Sequence, residues 1–199
     1  MLYLLVMMFV LFLAAFYGTS GDDQIQAKLD RSAIIARQMV VQHAAATRVC
    51  NVPSCPPGPI DPNPELPSAL TGRTPFVAVA GEAQPRMRSY YDGEFIVTVY
   101  VEPGTADWQR SVYGNVEGQM LTTVSPVYRC STGHWDAANR SVVVRGSSAV
   151  RRWHTNDSVV PSSQIVPLPA GLPGGGFPPD RAPIVITKRQ TALHCNLLN

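Results

Sequence analysis

One stretch at the N-terminus constrains this chain more than anything that follows it. Met1 to Tyr17 (MLYLLVMMFVLFLAAFY) carries no charged side chain, no proline and no glycine. At about 1.5 Å per residue, a helix of about 18–20 residues reaches roughly 27–30 Å, enough for the hydrocarbon core of a bilayer. Backbone groups in lipid must be satisfied internally, so an inserted run is helical. Tyr3 and Tyr17 sit near the two ends, where aromatic rings favour the headgroup region. A cleaved signal peptide is the rival, and Thr19-Ser20-Gly21 offers small residues to a peptidase. Yet no Lys or Arg precedes the apolar run, as a signal peptide would have it. The expectation is an uncleaved single-pass anchor over residues 1–20.

Charge leaves the orientation of such an anchor ambiguous. Lys28, Arg31 and Arg37 follow the span, but Asp22 and Asp23 lie directly at its exit. Cysteine usage is the better guide. Cys50, Cys55, Cys130 and Cys195 form an even set in a small downstream domain, which favours an oxidising compartment. Three complete pairings are open to them. The four-residue gap between Cys50 and Cys55 can close locally, which favours that pair together with Cys130–Cys195. The expected placement is the bulk of the chain on the oxidising side, with the N-terminus inside.

Beyond the anchor, 199 residues leave room for one ordinary domain. Residues 21–50 read as an amphipathic juxtamembrane helix. Ile25, Leu29, Ala33, Ala36, Val40 and Ala44 recur at three- and four-residue steps, a seam for the chain's own domain or for a partner helix. Gly18 and Gly21 either separate the two helices or are absorbed into one. Residues 51–72 form a proline-rich linker, with seven prolines between 51 and 68, a density that no helix or central strand survives.

The domain expected over 73–199 is α+β, a small and mainly antiparallel sheet with one packed helix. Phe76–Ala80, Phe95–Val101, Val124–Arg129, Ser141–Arg145 and Ile184–Lys188 are its strand candidates. Trp108, Val112, Tyr113, Val116 and Met120 fall at helical spacing. Residues 161–183 hold seven prolines and four glycines, an irregular loop of the kind that often carries function.

Chemistry is sparse. Cys130-x3-His134 and His194-Cys195 suggest a metal or redox site, but no Cys-x2-Cys pair accompanies them. There is no Gly-x-Ser-x-Gly elbow and no Ser-x-x-Lys, and His154 has no orienting partner at recognisable spacing. Gly174–Gly176 lacks the Lys-Ser/Thr of a phosphate loop. The 14 Arg and 2 Lys are scattered and the net charge is +2, so no nucleic-acid footprint stands out. The expectation is a non-enzyme without catalytic residues, cofactor or metal.

The order of features resembles the PilM family of plasmid-encoded type IV thin-pilus systems. It is carried by the membrane helix, the run Ser32-Ala33-Ile34-Ile35-Ala36-Arg37-Gln38-Met39-Val40-Val41, and the strand Phe95 to Tyr100. A helix, Pro126-Val127-Tyr128-Arg129, the punctuated Val166 to Pro173 and the strand Pro183 to Thr187 follow. This resemblance implies a bacterial inner-membrane protein with its domain in the periplasm. It implies a role in pilin transport or the pilus basal body, in conjugation or adhesion. Pilins or other assembly proteins are the implied partners, and an oligomer is compatible with it. A minor-pilin-like subunit built into a fibre is the alternative. A processed pilin tail would need a Glu at the fifth position of its apolar stretch, and residues 1–18 contain none. A periplasmic metal or redox protein using Cys130, His134, His194 and Cys195 is the alternative of another class.

Overall fold

The computed structural model describes residues 2–51, 53–73, 75–123, 131–144, 165–167 and 178–189; the side chains of 2, 4, 5, 10–24, 123 and 165–167 are not described. A single helix, α1, runs from Leu2 to Val49. It continues through Gly18 and Gly21, so the anchor segment and the juxtamembrane helix are one element about 72 Å long. Among the described residues no helix is long and apolar enough to cross a membrane, so the fold leaves the span expected over 1–20 unestablished.

Among the described side chains of α1, those of its C-terminal part enter a core. From Ser32 onward one face is buried: Ile35, Ala36, Met39, Gln42, His43, Ala46 and Cys50. Their three- and four-residue steps place them on one side of the helix. Compared with the expected seam, this face is turned by about one residue. Ala36 is fully buried, and Ala33, Val40 and Ala44 are partly buried at its margin. Ile25 and Leu29 are exposed at 59% and 37%.

The face packs on a seven-stranded sheet of order β1-β2-β3-β7-β4-β5-β6. In chain order the strands are β1 (Gly58–Ile60), β2 (Met87–Tyr91), β3 (Phe95–Tyr100), β4 (Thr132–Asp136), β5 (Ser141–Val144), β6 (Ile165–Pro167) and β7 (Pro183–Lys188). Every pairing is antiparallel. The last described strand, β7, enters the middle of the sheet between β3 and β4, so it joins the β1-β2-β3 half to the β4-β5-β6 half. Residues 96–100 of β3 and 183–187 of β7 are buried without a break, as befits strands covered on both faces. The two edges are β1 and β6. Each is three residues long and contains a proline, Pro59 or Pro167, which limits further strand pairing.

A second helix, α2 (Ala106–Thr123), packs against α1, β4 and β7. Val112, Tyr113, Val116 and Met120 are buried along it, on the spacing read from the sequence. Gly114 and Gly118 meet nothing that a methyl group would strike and do not interrupt it. At Gly133 the opposite holds. A Cβ there would lie 2.0 Å from the Val143 carbonyl oxygen, so the β4–β5 pairing tolerates no side chain at that position.

Several expectations need correcting. Phe76–Ala80 is not a strand but a run of turns and bends; Phe76 is nonetheless buried in the core. The stretch 51–72 is not a bare linker between helix and domain. It contributes β1 at the sheet edge, a short 3-10 turn at Asn63–Glu65, and the core residues Ile60 and Leu66. Its proline density is compatible with a strand because Pro59 lies in an edge strand of three residues. Val124–Arg129 lies outside the described residues, as does most of 161–183 apart from β6 and residues 178–183. The strands β2 and β4 carry weak strand signals, because Met87-Arg88-Ser89-Tyr90-Tyr91 has polar residues on both faces and Thr132-Gly133-His134-Trp135-Asp136 has an all-polar face backed by a glycine and a single tryptophan.

A disulfide joins Cys50, one residue beyond α1, to Cys55 ahead of β1. It ties the end of the helix to the edge of the sheet, beside a small cluster of Ala46, Ile60, Tyr91 and Ile96. Cys130 and Cys195 lie outside the described residues. A loop this short is worth about 2 kcal/mol in chain-entropy terms. Cys55→Ser is therefore expected to lower the unfolding free energy, read from the urea transition, by about that amount; an unaltered transition would show that the bridge does not hold β1.

Candidate functional site: the junction between α1 and the sheet

Among the described residues, two polar clusters centred on buried groups join α1 to the strands and to α2. The first lies where α1 crosses β3 and β7. His43 is fully buried; its Nδ1 lies 3.0 Å from Thr98 Oγ1 and its Nε2 3.0 Å from Thr187 Oγ1. In the β3–β7 register, Thr98 faces Val185 and Thr187 faces Ile96. The two threonines are thus diagonal neighbours on one face, and the ring spans two strands at once. Thr98 Oγ1 is also 2.8 Å from Ser89 Oγ on β2, directly opposite in register. Gln42 Nε2 donates to Ser89 Oγ at 3.2 Å. Two adjacent residues of one helix therefore bond to three neighbouring strands. Buried hydroxyls and imidazole are costly without partners, so the contacts specify one seating of α1 on an otherwise greasy face.

The second cluster surrounds Glu102, which is 2% exposed just beyond β3. Its Oε1 accepts from Arg31 Nη2 of α1 at 2.6 Å and from Trp108 Nε1 of α2 at 3.3 Å. Its Oε2 accepts from the Tyr100 hydroxyl. Its backbone N–H donates to the Tyr113 hydroxyl at 3.2 Å, and its carbonyl accepts from Gln109 Nε2 at 2.7 Å. The Arg31 guanidinium also lies 5.8 Å from the centre of the Trp108 ring. One carboxylate thus gathers α1, β3 and α2. Arg31 is half exposed, so the ion pair contributes less than its short distance suggests.

Burial and charge act together on the phenols here. Burial, then the hydrogen bond to the Glu102 carboxylate, pushes the Tyr100 hydroxyl far above the ordinary tyrosine range. Burial raises Tyr113 to about 12. Tyr90, on β2, is raised further, again chiefly by burial.

A third cluster joins α2 to β4. His134 Nδ1 is 3.0 Å from Glu117 Oε1, and Arg181 Nη1 is 3.3 Å from His134 Nε2. A guanidinium can only donate, so Nε2 accepts and Nδ1 carries the proton given to Glu117. Arg181 takes a left-handed backbone, φ 66°, at the turn before β7. His134, which the sequence spacing pairs with Cys130 as a metal candidate, is engaged by a carboxylate and a guanidinium; Cys130, His154, His194 and Cys195 lie outside the described residues. Among the described residues no three His, Cys, Asp or Glu side chains converge as a metal set.

Of the residues singled out in the sequence, Cys50 and Cys55 are brought together, whereas the seam residues Ile25 and Leu29 project away from the core. Glu102, Thr98, Thr187 and Arg31 were missed as a junction. Their only sequence signal was polarity inside an apolar strand, at Thr98 and Thr187. Comparison of the chain with protein-family models, curated proteins and solved structures finds no match.

His43→Phe keeps an aromatic ring, slightly larger than imidazole, and removes both nitrogens, so Thr98 and Thr187 each lose a bond. Urea unfolding should show a loss of about 1–3 kcal/mol; a wild-type midpoint would mean the ring serves only as filler. Glu102→Gln should cost a similar amount, and Arg31→Ala about 1 kcal/mol or less. For the tyrosines the folded-state pKa values lie above the unfolded value of about 10. Their contribution is therefore complete below pH of about 10 and is lost progressively as pH rises above it, the Tyr113 part by about 12. Tyrosinate absorbance during an alkaline titration should show Tyr90, Tyr100 and Tyr113 ionising only with unfolding, after the more accessible phenols.

Proposed function

We propose that this chain is a non-enzymatic inner-membrane component of a type IV pilus assembly machinery, of the PilM kind. Residues 1–20 lie in the bilayer and the α+β head stands in the periplasm. The observation that carries this reading is the continuity of α1 from Leu2 to Val49, with its last third locked into the head. Tyr3, Val6, Met7, Met8 and Phe9 are all exposed, and four of them are consecutive. Consecutive helical residues point in different directions, so the apolar surface surrounds the helix instead of forming a stripe. Lipid covers a helix of that kind, whereas a groove would cover one side. From Gly21 to Ser32 the helix then rises roughly 16 Å before the head begins. It sets a distance as well as a tether.

The partner seam narrows accordingly. Ala36 is occupied by the head, which leaves Ile25 and Leu29, one turn apart and exposed, as the membrane-proximal contact for another helix. Pilins or fellow assembly proteins are the partners. The Cys50–Cys55 disulfide fits an oxidising compartment.

A second reading, a minor-pilin-like subunit of the fibre, is favoured by the same unbroken helix, since a long N-terminal helix bearing a head at its far end is the shape a fibre subunit needs. Photo-crosslinking from position 29 in native membranes tests the first reading. Capture of a pilin or a secretin and resistance to alkaline extraction are expected; only uncrosslinked monomer would overturn it. Recovery of the chain in sheared fibres, with an N-terminal segment missing from its intact mass, would replace it by the second.

A further inference from the structure

A groove of about 500 Å³ runs along α1 at the lower edge of the head. Ala27, Asp30, Ile34 and Gln38 form its α1 wall, and Pro75 and Arg86 face them from the head. Steps of three and four residues place the α1 members on one side of the helix, over roughly 16 Å of its length. Arg31 meets Glu102 just beyond β3, and His43 meets Thr98 within β3. The helix therefore rises from the end of β3 towards its start, and the groove lies at the end of the head nearest the N-terminal part of α1. Ile34 is 55% exposed there. A lone exposed isoleucine means little on an open surface; one standing in a groove of this size is a contact point. It lies two and a half turns beyond Ile25 and so points away from it.

The charges around the groove are unequally compensated. Arg86 donates to Glu82 from Nε and Nη2 at 3.0 and 2.8 Å. Arg31, also on the lining, donates to Glu102 at 2.6 Å. Asp30 accepts only from the neutral amide of Gln26, at 2.9 Å, and among the described residues no cation lies within ion-pairing distance of its carboxylate. The charge left for an occupant to meet is therefore negative. The α1 wall is a helix whose backbone groups are bonded internally, so an added strand gains no ladder there. An occupant must satisfy its own backbone, and about three turns of a second helix match the length of the groove.

We infer that the groove seats the juxtamembrane helix of a different single-pass protein, rising from the same bilayer parallel to α1. Its apolar ridge lies against Ile34 and a Lys or Arg stands opposite Asp30. The inference rests on the bilayer placement of residues 1–20. Ala27 is then about 10 Å beyond the span, too far for lipid tails to fill the groove. A second copy of this chain fits poorly. Parallel and in register, it would set Asp30 against Asp30, and like charges repel.

The test is a fluorescence-anisotropy titration of the full chain in detergent, with protein-free micelles subtracted. The probe is a labelled helical peptide of about four turns, carrying a leucine ridge at three- and four-residue steps and a flanking lysine. A second peptide has glutamate in place of the lysine. Saturable binding of the lysine peptide is expected, weakened about tenfold or more by Ile34→Glu, a change at an exposed position that spares the core. Asp30→Lys should weaken the lysine peptide at least about threefold and reverse the preference, so that the glutamate peptide binds tighter. No saturable binding, equal affinity for the two peptides, or undiminished binding by Ile34→Glu would each overturn the proposal. So would concentration-dependent self-association abolished by Ile34→Glu, which would give the groove to a second copy. The titration reads the groove and alkaline extraction reads the anchor, so the two readings fail separately.

Discussion

The seating of His43 between Thr98 and Thr187 is the contact on which the rest of the structure depends. A helix laid on an apolar sheet can slide or rotate at little cost, because dispersion contacts are individually weak and directionless. Two ring nitrogens bonded to two strands forbid that freedom. Once His43 is placed, Gln42 reaches Ser89, Arg31 comes level with Glu102, and Cys50 meets Cys55. The three ties lie at successive heights of α1, and each follows from the register that the central one sets.

This arrangement bears on how a force or a signal could pass between the N-terminal part of α1 and the head. The junction is not a hinge. It combines a buried hydrogen-bond network, a carboxylate shared between three elements and a covalent link, so motion of α1 carries the head with it. Both sheet edges are closed by three-residue strands holding proline. Contact with other proteins by strand addition is thereby discouraged, and side-chain surfaces such as the exposed part of α1 are left for it.

Much of the secondary structure was legible because its residues carry a strong local period. The spacing of Trp108, Val112, Tyr113, Val116 and Met120 foretold α2, and the β-branched run Phe95–Tyr100 foretold β3. β7 and β5 were read in the same way. Phe76–Ala80 misled because an apolar run is ambiguous over so short a stretch, and the prolines and glycine around it turn the chain instead. β1 was unreadable for the converse reason. A glycine–proline–isoleucine triplet has no strand signal, and it pairs with β2 beside the Cys50–Cys55 bridge and the cluster around Ile60.

The sequence by itself determined three things: a helical, uncharged N-terminal run, an amphipathic continuation, and a β-rich domain whose first two cysteines are close enough to pair. All are local, set by backbone satisfaction, periodicity and chain length. Tertiary structure alone decided which face of α1 is inward, turning it about one residue from the seam read by spacing. It also decided that Glu102 lies beneath Arg31, 71 residues apart, and that His43 sits between Thr98 and Thr187. These are long-range juxtapositions. No period in a sequence records them, because the residues meet only after the strands are ordered and the helix has been laid across them.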